Sequence, residues 1–168
     1  MPLLRDGKVV EDPWTALPDD GEPAPEGNII LTLEQWQAGR ERLHGHNGRL
    51  GLRLRSYQSP AQVADDLHNF DLVALEFPRF GDGRAYSYAR LLRERYAFKG
   101  ELRAVGNVLR DQLQFMVRCG FDAFEIAGDN AVESWREALA EIDLWYQPTG
   151  AGPSSAGVLR RTASQRAG

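Results

Sequence analysis

Hydrophobic and polar residues alternate with two different periods along this chain. Residues 50–54 place leucine at every second position, with Gly51 and Arg53 between, which predicts a strand with one polar face. Residues 72–77, LVALEF, are almost continuously apolar, as buried parallel strands usually are. Residues 85–96 repeat apolar side chains every three to four positions, which predicts an amphipathic helix. The chain therefore mixes strands and helices along its length.

Strand and helix patterns alternate about five times between residues 28 and 146. Thr32 and Gln35 form a capping-box pattern at the start of one helix. Ser59 precedes a proline that suits a first helical turn, and Gly120 follows the last turn of another helix. We predict strands at 28–31, 50–54, 72–77, 102–105, 121–126 and 142–146. We predict helices at 32–43, 85–96 and 109–119. A further helix is predicted to start after Ser59, with Val63, Ala64 and Leu67 on its apolar side. The last predicted helix starts at Asn130 and buries Ala131, Trp135, Ala138 and Leu139.

Short connections between alternating strands and helices predict an α/β domain with a parallel sheet. We expect an open, doubly wound sheet, because a complete eightfold barrel usually needs about 250 residues. A partial or degenerate β/α barrel is the alternative. Residues 3–10 predict an N-terminal hairpin, since Asp6 and Gly7 suit a tight turn with positive φ angles. The expected divisions are 1–27 for the hairpin and an acidic, proline-rich loop, 28–146 for the α/β domain, and 147–168 for a disordered tail.

Composition narrows the class of protein. At 168 residues the chain favours a single domain. No window approaches eighteen consecutive apolar residues, and the first residues lack a secretory signal, so we expect a cytoplasmic protein without a membrane span. Cys119 is the single cysteine, which excludes an internal disulfide and any site with several cysteine ligands.

Charge is distributed unevenly along the chain. Residues 1–34 carry two cationic and eight acidic side chains, a local charge of −6. Residues 79–118 carry eight arginines and Lys99 against four acids, a local charge of +5. The chain as a whole carries −4, unlike a typical nucleic-acid-binding domain, so we expect no nucleic-acid partner.

Polar residues cluster in the loops that follow three of the predicted strands. Ligands of parallel α/β folds bind beyond the carboxyl ends of the strands, near helix N-termini. Arginines gathered at that edge suit a small oxyanion such as sulfite, sulfate or phosphate. The alternative is a structural network in which these arginines pair with neighbouring acids, Glu76 among them. The candidate anion- or partner-binding residues are Arg79, Asp82, Arg84, Asn107, Arg110, Asp111 and Glu125.

Other reactive residues do not assemble into a recognised motif. The chain contains neither GxGxxG nor GxxxxGK[ST], so no dinucleotide or P-loop site is predicted. His44 and His46 lie in a glycine-rich segment and are predicted to be surface residues, so we expect no metal site. Cys119 is predicted to be a buried apolar residue at a helix C-terminus. No catalytic residues are predicted.

Four blocks carry a family resemblance: FPRFGDGRAYSYAR at 77–90, GELRAVG at 100–106, VLRDQ at 108–112 and RCGFDAF at 118–124. They resemble a proteobacterial family of unknown function labelled as predicted oxidoreductases involved in sulfite reduction. The genes of that family typically lie beside the gene for the sulfite/nitrite reductase haemoprotein. The resemblance implies a pathway and supplies no catalytic residue.

Three functional hypotheses follow. The first is an accessory or redox-associated protein of assimilatory sulfite reduction that contacts the reductase haemoprotein or its electron donor. The second is an enzyme that binds a small oxyanion or a phosphorylated metabolite at the arginines of the carboxyl edge. The third is a flavin-dependent oxidoreductase, with the flavin at the carboxyl ends of the strands.

Overall fold

The computed structural model describes residues 2–24, 26–79, 81–127, 133, 135–138 and 140–141. Strands and helices alternate from β4 onwards, as the hydrophobic periodicity predicts. Residues 133, 135–138, 140 and 141 are helical. The strands are β1 Leu3–Arg5, β2 Lys8–Val10, β3 Thr15–Ala16, β4 Ile29–Thr32, β5 Leu50–Leu54, β6 Leu72–Phe77, β7 Glu101–Gly106 and β8 Ala123–Glu125. The helices are α1 Leu33–Leu43, a 3-10 helix Pro60–Asn69, α2 Arg84–Arg90 with a π-helical turn Leu91–Arg95, a 3-10 turn Arg110–Gln112, and α3 Leu113–Cys119.

All eight strands belong to one mixed sheet with the order β2-β1-β8-β7-β6-β5-β4-β3. Neighbouring strands from β3 to β8 are parallel, whereas β1 is antiparallel to both β2 and β8. A doubly wound sheet reverses its strand order at a switch point, and β3 to β8 follow one another in chain order without a reversal. The expectation of a doubly wound sheet is therefore wrong. The strands form a curled half-barrel, which the sequence analysis kept as the alternative.

The connection between β2 and β3 explains why the sheet curls. These strands form opposite edges of the sheet, yet only residues 11–14 separate them along the chain. Five extended residue steps span at most about 18 Å. The edges of a flat eight-stranded sheet lie about 34 Å apart, given a spacing of about 4.8 Å between strands. The two edges must therefore approach each other, and residues 11–14 bridge the open side. Because β1, β2 and β3 are short and bring no crossover helix, eight strands fit into this chain.

The two faces of the sheet are covered differently. On the outer face Leu52, Val73 and Leu102 belong to one large core together with Trp36 of α1 and Leu113 of α3. Parallel crossovers are right-handed, so a sheet built in one direction places its helices on one face. The inner face holds a second, smaller apolar cluster formed by Trp14, Ile30, Leu72, Ala74 and Val105.

Local signals predict most element boundaries correctly. Asp6 and Gly7 have φ angles of +52° and +74°, which confirms the Asp-Gly turn of the β1–β2 hairpin. The Thr32 side chain accepts a hydrogen bond from the backbone N–H of Gln35, whose side chain accepts one from the N–H of Thr32. Gly120 follows α3 with a φ of +108°.

Other predictions need correction or lie outside the described residues. The segment after Ser59 is not one regular α-helix: it consists of 3-10 turns on either side of a kink at Val63, which has a φ of −129°. The acidic loop predicted before residue 28 contains the short strand β3. Trp135 is buried, as predicted. Asn130, Ala131, Leu139, the strand at 142–146 and the tail at 147–168 lie outside the described residues. Among the described residues, no helix has the length and hydropathy needed to cross a membrane.

Candidate functional site

The inner face of the half-barrel carries a row of alternating large cationic and small side chains. The strand register places Arg53 opposite Ala74, Ala74 opposite Arg103, and Arg103 opposite Ala123. Alanine on the intervening strands leaves room for the long arginine side chains above the sheet. The polar face that alternation predicts for β5 is therefore the inner face of the barrel.

Arg103 is the centre of one polar cluster on this face. Its side chain is fully buried, and its guanidinium donates two hydrogen bonds to Asp12, at 2.7 and 3.1 Å. It also donates to Glu101 at 2.9 Å and to Glu125 at 3.3 Å. Glu101 in turn accepts from Arg5 on β1 at 3.3 Å. The cluster thus joins β1, β7 and β8 to the N-terminal segment.

Burial opposes the positive charge of Arg103, but the hydrogen bonds and charges of Asp12 and Glu101 outweigh it and raise its pKa. Three carboxylates therefore hold one buried cation in its charged form. Such an arrangement is expensive to break, because any remaining charge would be left buried without compensation. We assign it a structural role: it anchors the segment that bridges the open side.

A second cluster lies at the carboxyl end of β5. Arg53 donates to Oδ1 of Asp19 at 2.5 Å, and Arg55 donates to Oδ2 of the same carboxylate. Arg55 also donates to the hydroxyl of Tyr57 at 2.9 Å. This hydrogen bond raises the pKa of Arg55, burial opposes the shift, and the charge of Asp19 adds to it. One carboxylate of the N-terminal segment thus bridges two guanidiniums.

A third cluster links the loops after β5 and β6. Arg84 donates through Nε and Nη2 to the two oxygens of Asp82, at 3.0 and 2.7 Å. Its Nη2 also donates to the hydroxyl of Ser56 at 3.1 Å. The hydrogen bond from Arg84 holds the pKa of Asp82 well below its ordinary value against the effect of burial, with help from the Arg84 N–H and from Ser56. Asp82 therefore remains an anion and is unsuited to act as a proton donor or acceptor near neutral pH.

The residues predicted from the sequence do not form one site. Asp82 and Arg84 pair with each other, as the structural alternative supposed, and Glu125 contacts Arg103 on the inner face. The other predicted site residues are exposed, and within the described part of the chain no hydrogen bond or ion pair joins them to these pairs. They are Arg79, Asn107, Arg110 and Asp111.

Sequence reasoning missed the partners of Arg53, Arg55 and Arg103. The sequence did indicate the position of Arg53, because the alternation of residues 50–54 placed it on the polar face of the strand. Their carboxylate partners, Asp12 and Asp19, lie in a loop that pattern analysis leaves unplaced. The opposite charges of residues 1–34 and 79–118 are a signal from which such pairing could have been predicted, and the Asp12–Arg103 contact is one instance of it.

A basic and aromatic surface lies on α2 and α3, and we call it the α2/α3 patch: Tyr86, Arg90, Phe115 and Arg118. Phe115 is 44% exposed, although it is a large apolar side chain. The Arg90 guanidinium lies 5.5 Å from the centre of the Phe115 ring, and the Tyr86 ring packs beside it at 4.7 Å. Arg90 and Arg118 are exposed.

The nucleophilic groups near this patch are shielded. Burial raises the pKa of the Cys119 thiol, although a hydrogen bond from Arg90 opposes that shift, which favours the unreactive protonated form. Burial likewise raises the pKa of Tyr86. The prediction of a buried Cys119 is confirmed. No group of three or more histidine, cysteine or acidic residues in the described part of the chain is placed to hold a metal ion.

Comparison with known proteins identifies a family. A model for bacterial proteins of unknown function (DUF934) matches residues 51–156, which is 106 of the 168 residues. No curated protein matches the chain. The matched region contains Arg53, Arg55 and Arg103, whereas Asp12 and Asp19 precede it. This chain belongs to the DUF934 family of bacterial proteins of unknown function.

Proposed function

We propose that this protein is an accessory protein of assimilatory sulfite reduction that docks on an acidic partner through the α2/α3 patch. The partner is the sulfite/nitrite reductase haemoprotein or its electron donor. The observation that carries the proposal is the exposure of Phe115 between Tyr86 and Arg90. Exposed aromatic residues next to arginine are the usual composition of energetically dominant positions in protein interfaces.

The distribution of cationic residues supports a role of this surface in binding. Two arginines of the basic segment are held inside the protein: Arg93 binds backbone carbonyls and Asp122, and Arg103 is buried. The other cations of the segment are exposed, and Arg90 and Arg118 of the α2/α3 patch are among them. The exposed cations between residues 79 and 118 are Arg79, Arg84, Arg90, Arg95, Lys99, Arg110 and Arg118.

Tyr86, Arg90 and Arg118 of this surface lie in the blocks that carry the family resemblance, and Phe115 lies between two of those blocks. The block 77–90 includes α2, the block 108–112 leads into α3, and the block 118–124 starts at the end of α3. A docking role agrees with the gene context that the resemblance implies.

Co-elution with the cognate reductase haemoprotein at low and moderate salt tests the proposal. We expect a complex that weakens as salt rises, because its attraction is electrostatic. Phe115→Ala and Arg90→Glu should each weaken binding about tenfold or more, the range of interface hot spots. Arg42→Glu is the matched control, since Arg42 is exposed on α1 and α1 packs against β4 and β5.

Two results would contradict the docking role. One is the absence of a complex with either the reductase or its electron donor at low salt. The other is an equal loss of binding with Arg42→Glu and Arg90→Glu, since that would indicate unspecific attraction. Either result would leave the ligand-binding enzyme as the next hypothesis.

A further inference from the structure

We propose that Arg53, Arg55 and Tyr57 form a binding site for a tetrahedral oxyanion with two negative charges, the chemistry of a sulfate or phosphate group. In its absence the carboxylate of Asp19 occupies the site. This site lies at the carboxyl end of β5, and it uses none of the residues of the α2/α3 patch.

The geometry of the two arginines is that of an oxyanion receptor. Arg53 lies in β5 and Arg55 directly follows its last residue, and both side chains reach the same carboxylate. Each guanidinium binds a different oxygen of the Asp19 carboxylate. An ordinary ion pair needs one arginine. Two guanidinium groups that converge on one acceptor suit a ligand with several terminal oxygens.

The charges indicate a dianion rather than a carboxylate. Arg53 and Arg55 together carry two positive charges, and Asp19 supplies one negative charge. The charge of Glu34 also acts on Arg55, but its carboxylate accepts a hydrogen bond from Gln58 at 2.8 Å and contacts neither guanidinium directly in the described structure. A ligand with two negative charges would therefore balance the pair better than Asp19 does.

The side chain that occupies the site is more exposed than the two arginines that bind it. The backbone N–H of Arg55 donates to the Gln58 side chain at 2.9 Å, and its carbonyl accepts from the Gln58 N–H at 2.9 Å. Gln58 itself is buried. Asp19 lies in an exposed turn closed by the hydrogen bond from the Gly21 N–H to the Pro18 carbonyl. The side chain of Asp19 is 59% exposed, against 29% for each arginine. A ligand can therefore displace the exposed side chain of Asp19 while the backbone of its turn and the two arginines stay in place.

The position of the site also fits a ligand. Parallel α/β sheets bind ligands beyond the carboxyl ends of their strands, and residues 53–57 lie at that edge. Ser56, inside this stretch, accepts a hydrogen bond from Arg84 at the start of α2, the helix that follows β6. The arginine pair thus adjoins the part of the edge where the sequence analysis expected an anion.

Anion binding to the full-length protein tests the proposal. The probes are sodium sulfate, inorganic phosphate and glycerol phosphate, titrated by calorimetry and by thermal unfolding at constant ionic strength. Asp19→Asn removes the internal competitor but keeps the shape of the side chain. If Asp19 occupies the site about nine-tenths of the time, its removal tightens anion binding about tenfold. Asp20→Asn is the matched control, because it changes the same charge in the same turn, and we expect its affinity to stay within about twofold.

Substitution of the proposed binding residues completes the test. In the Asp19→Asn background, Arg55→Gln should abolish saturable anion binding. Tyr57→Phe should weaken binding only about threefold, since a single neutral hydrogen bond is lost. Tyr57 is 62% exposed, so this variant keeps the proposal testable even if Arg55→Gln does not fold.

Each outcome decides the proposal. Tighter binding of glycerol phosphate than of inorganic phosphate would identify a phosphorylated metabolite as the ligand, and equal or weaker binding would identify an inorganic anion. If Asp19→Asn shows no saturable binding at millimolar anion, the proposal is wrong, and the contacts of Arg53 and Arg55 with Asp19 have only a structural role. An equal gain from Asp20→Asn would also overturn the proposal, because general electrostatics would then explain it. Phe115→Ala should leave anion binding unchanged, so the two proposals fail separately.

Discussion

Individual arginine side chains connect distant parts of this structure. Arginine is also the predominant cation, since Lys8 and Lys99 are the only lysines among the twenty cationic residues. Arg93 donates to the carbonyls of Phe98, Gly100 and Gly120 and to Asp122. A planar guanidinium can direct several N–H groups to separate acceptors, and an ammonium group cannot reproduce that fork. The buried arginines are therefore fixed by geometry as well as by charge.

The buried cation Arg103 leads to a prediction at the residue scale. Arg103→Gln would leave the carboxylates of Asp12, Glu101 and Glu125 close together, with Arg5 at Glu101 as the remaining cationic contact shown by the described residues. We expect the free energy of unfolding to fall by about 3–5 kcal/mol near neutral pH. Urea denaturation measures it, with Arg95→Gln, at an exposed position, as the control. A loss of stability as small as that of Arg95→Gln would contradict the role assigned to Arg103.

At the scale of elements, α1 connects the sheet to the N-terminal segment. Gln35 completes the capping box with Thr32 and also donates hydrogen bonds to the carbonyls of Pro18 and Gly21, at 2.7 and 2.9 Å. One side chain thus stabilises the start of a helix and fixes the turn that carries Asp19. The geometry of that turn depends on α1 as well as on its own residues.

Substitution of Gln35 tests this connection. Gln35→Ala should lower the free energy of unfolding by about 1–2 kcal/mol, through the lost cap and the lost hydrogen bonds. Gln35→Glu keeps the acceptor for the Thr32 N–H but cannot donate to the two carbonyls. It should preserve most of the stability yet increase proteolytic cleavage between residues 18 and 24. Gln37→Ala, at an exposed position on the same helix, is the control for both measurements. Equal cleavage of Gln35→Glu and the unmodified protein would refute the connection.

At the scale of the whole molecule, the N-terminal segment fills the interior of an incomplete barrel. Trp14 is 8% exposed and packs with Ile30, Leu72, Ala74 and Val105 of the inner face. The Arg49 guanidinium lies 5.0 Å from its ring centre. The inner face of the half-barrel is covered by this segment rather than by helices.

Removal of Trp14 should therefore affect the molecule as a whole. We expect Trp14→Ala to lower the free energy of unfolding by about 3–5 kcal/mol, the usual cost of truncating a buried tryptophan. Binding of the dye ANS to the folded protein should rise, because apolar inner-face residues become accessible. Val9→Ala, at a residue that is 41% exposed, provides the control. An unchanged stability and dye signal would show that the segment is not needed to cover the inner face.

Short-range patterns in the sequence determined where most elements begin and end. The Asp6–Gly7 turn, the Thr32–Gln35 capping box and Gly120 after α3 act within a few residues of themselves, so they can be recognised without the fold. Alternation along residues 50–54 likewise predicts which side of β5 is polar. The chemistry of Arg53 was visible, but its partner was not.

Only the tertiary structure decided the strand order, the curl of the sheet and the partners of the arginines. Asp12 is 91 residues from Arg103, and Asp19 is 34 residues from Arg53. Neither pairing leaves a periodic signal, because loop residues are placed by the elements at their two ends. The four residues between β2 and β3 close the sheet only once those strands occupy opposite edges. A local pattern specifies which face of an element is apolar, whereas the neighbour that covers it depends on contacts between distant parts of the chain.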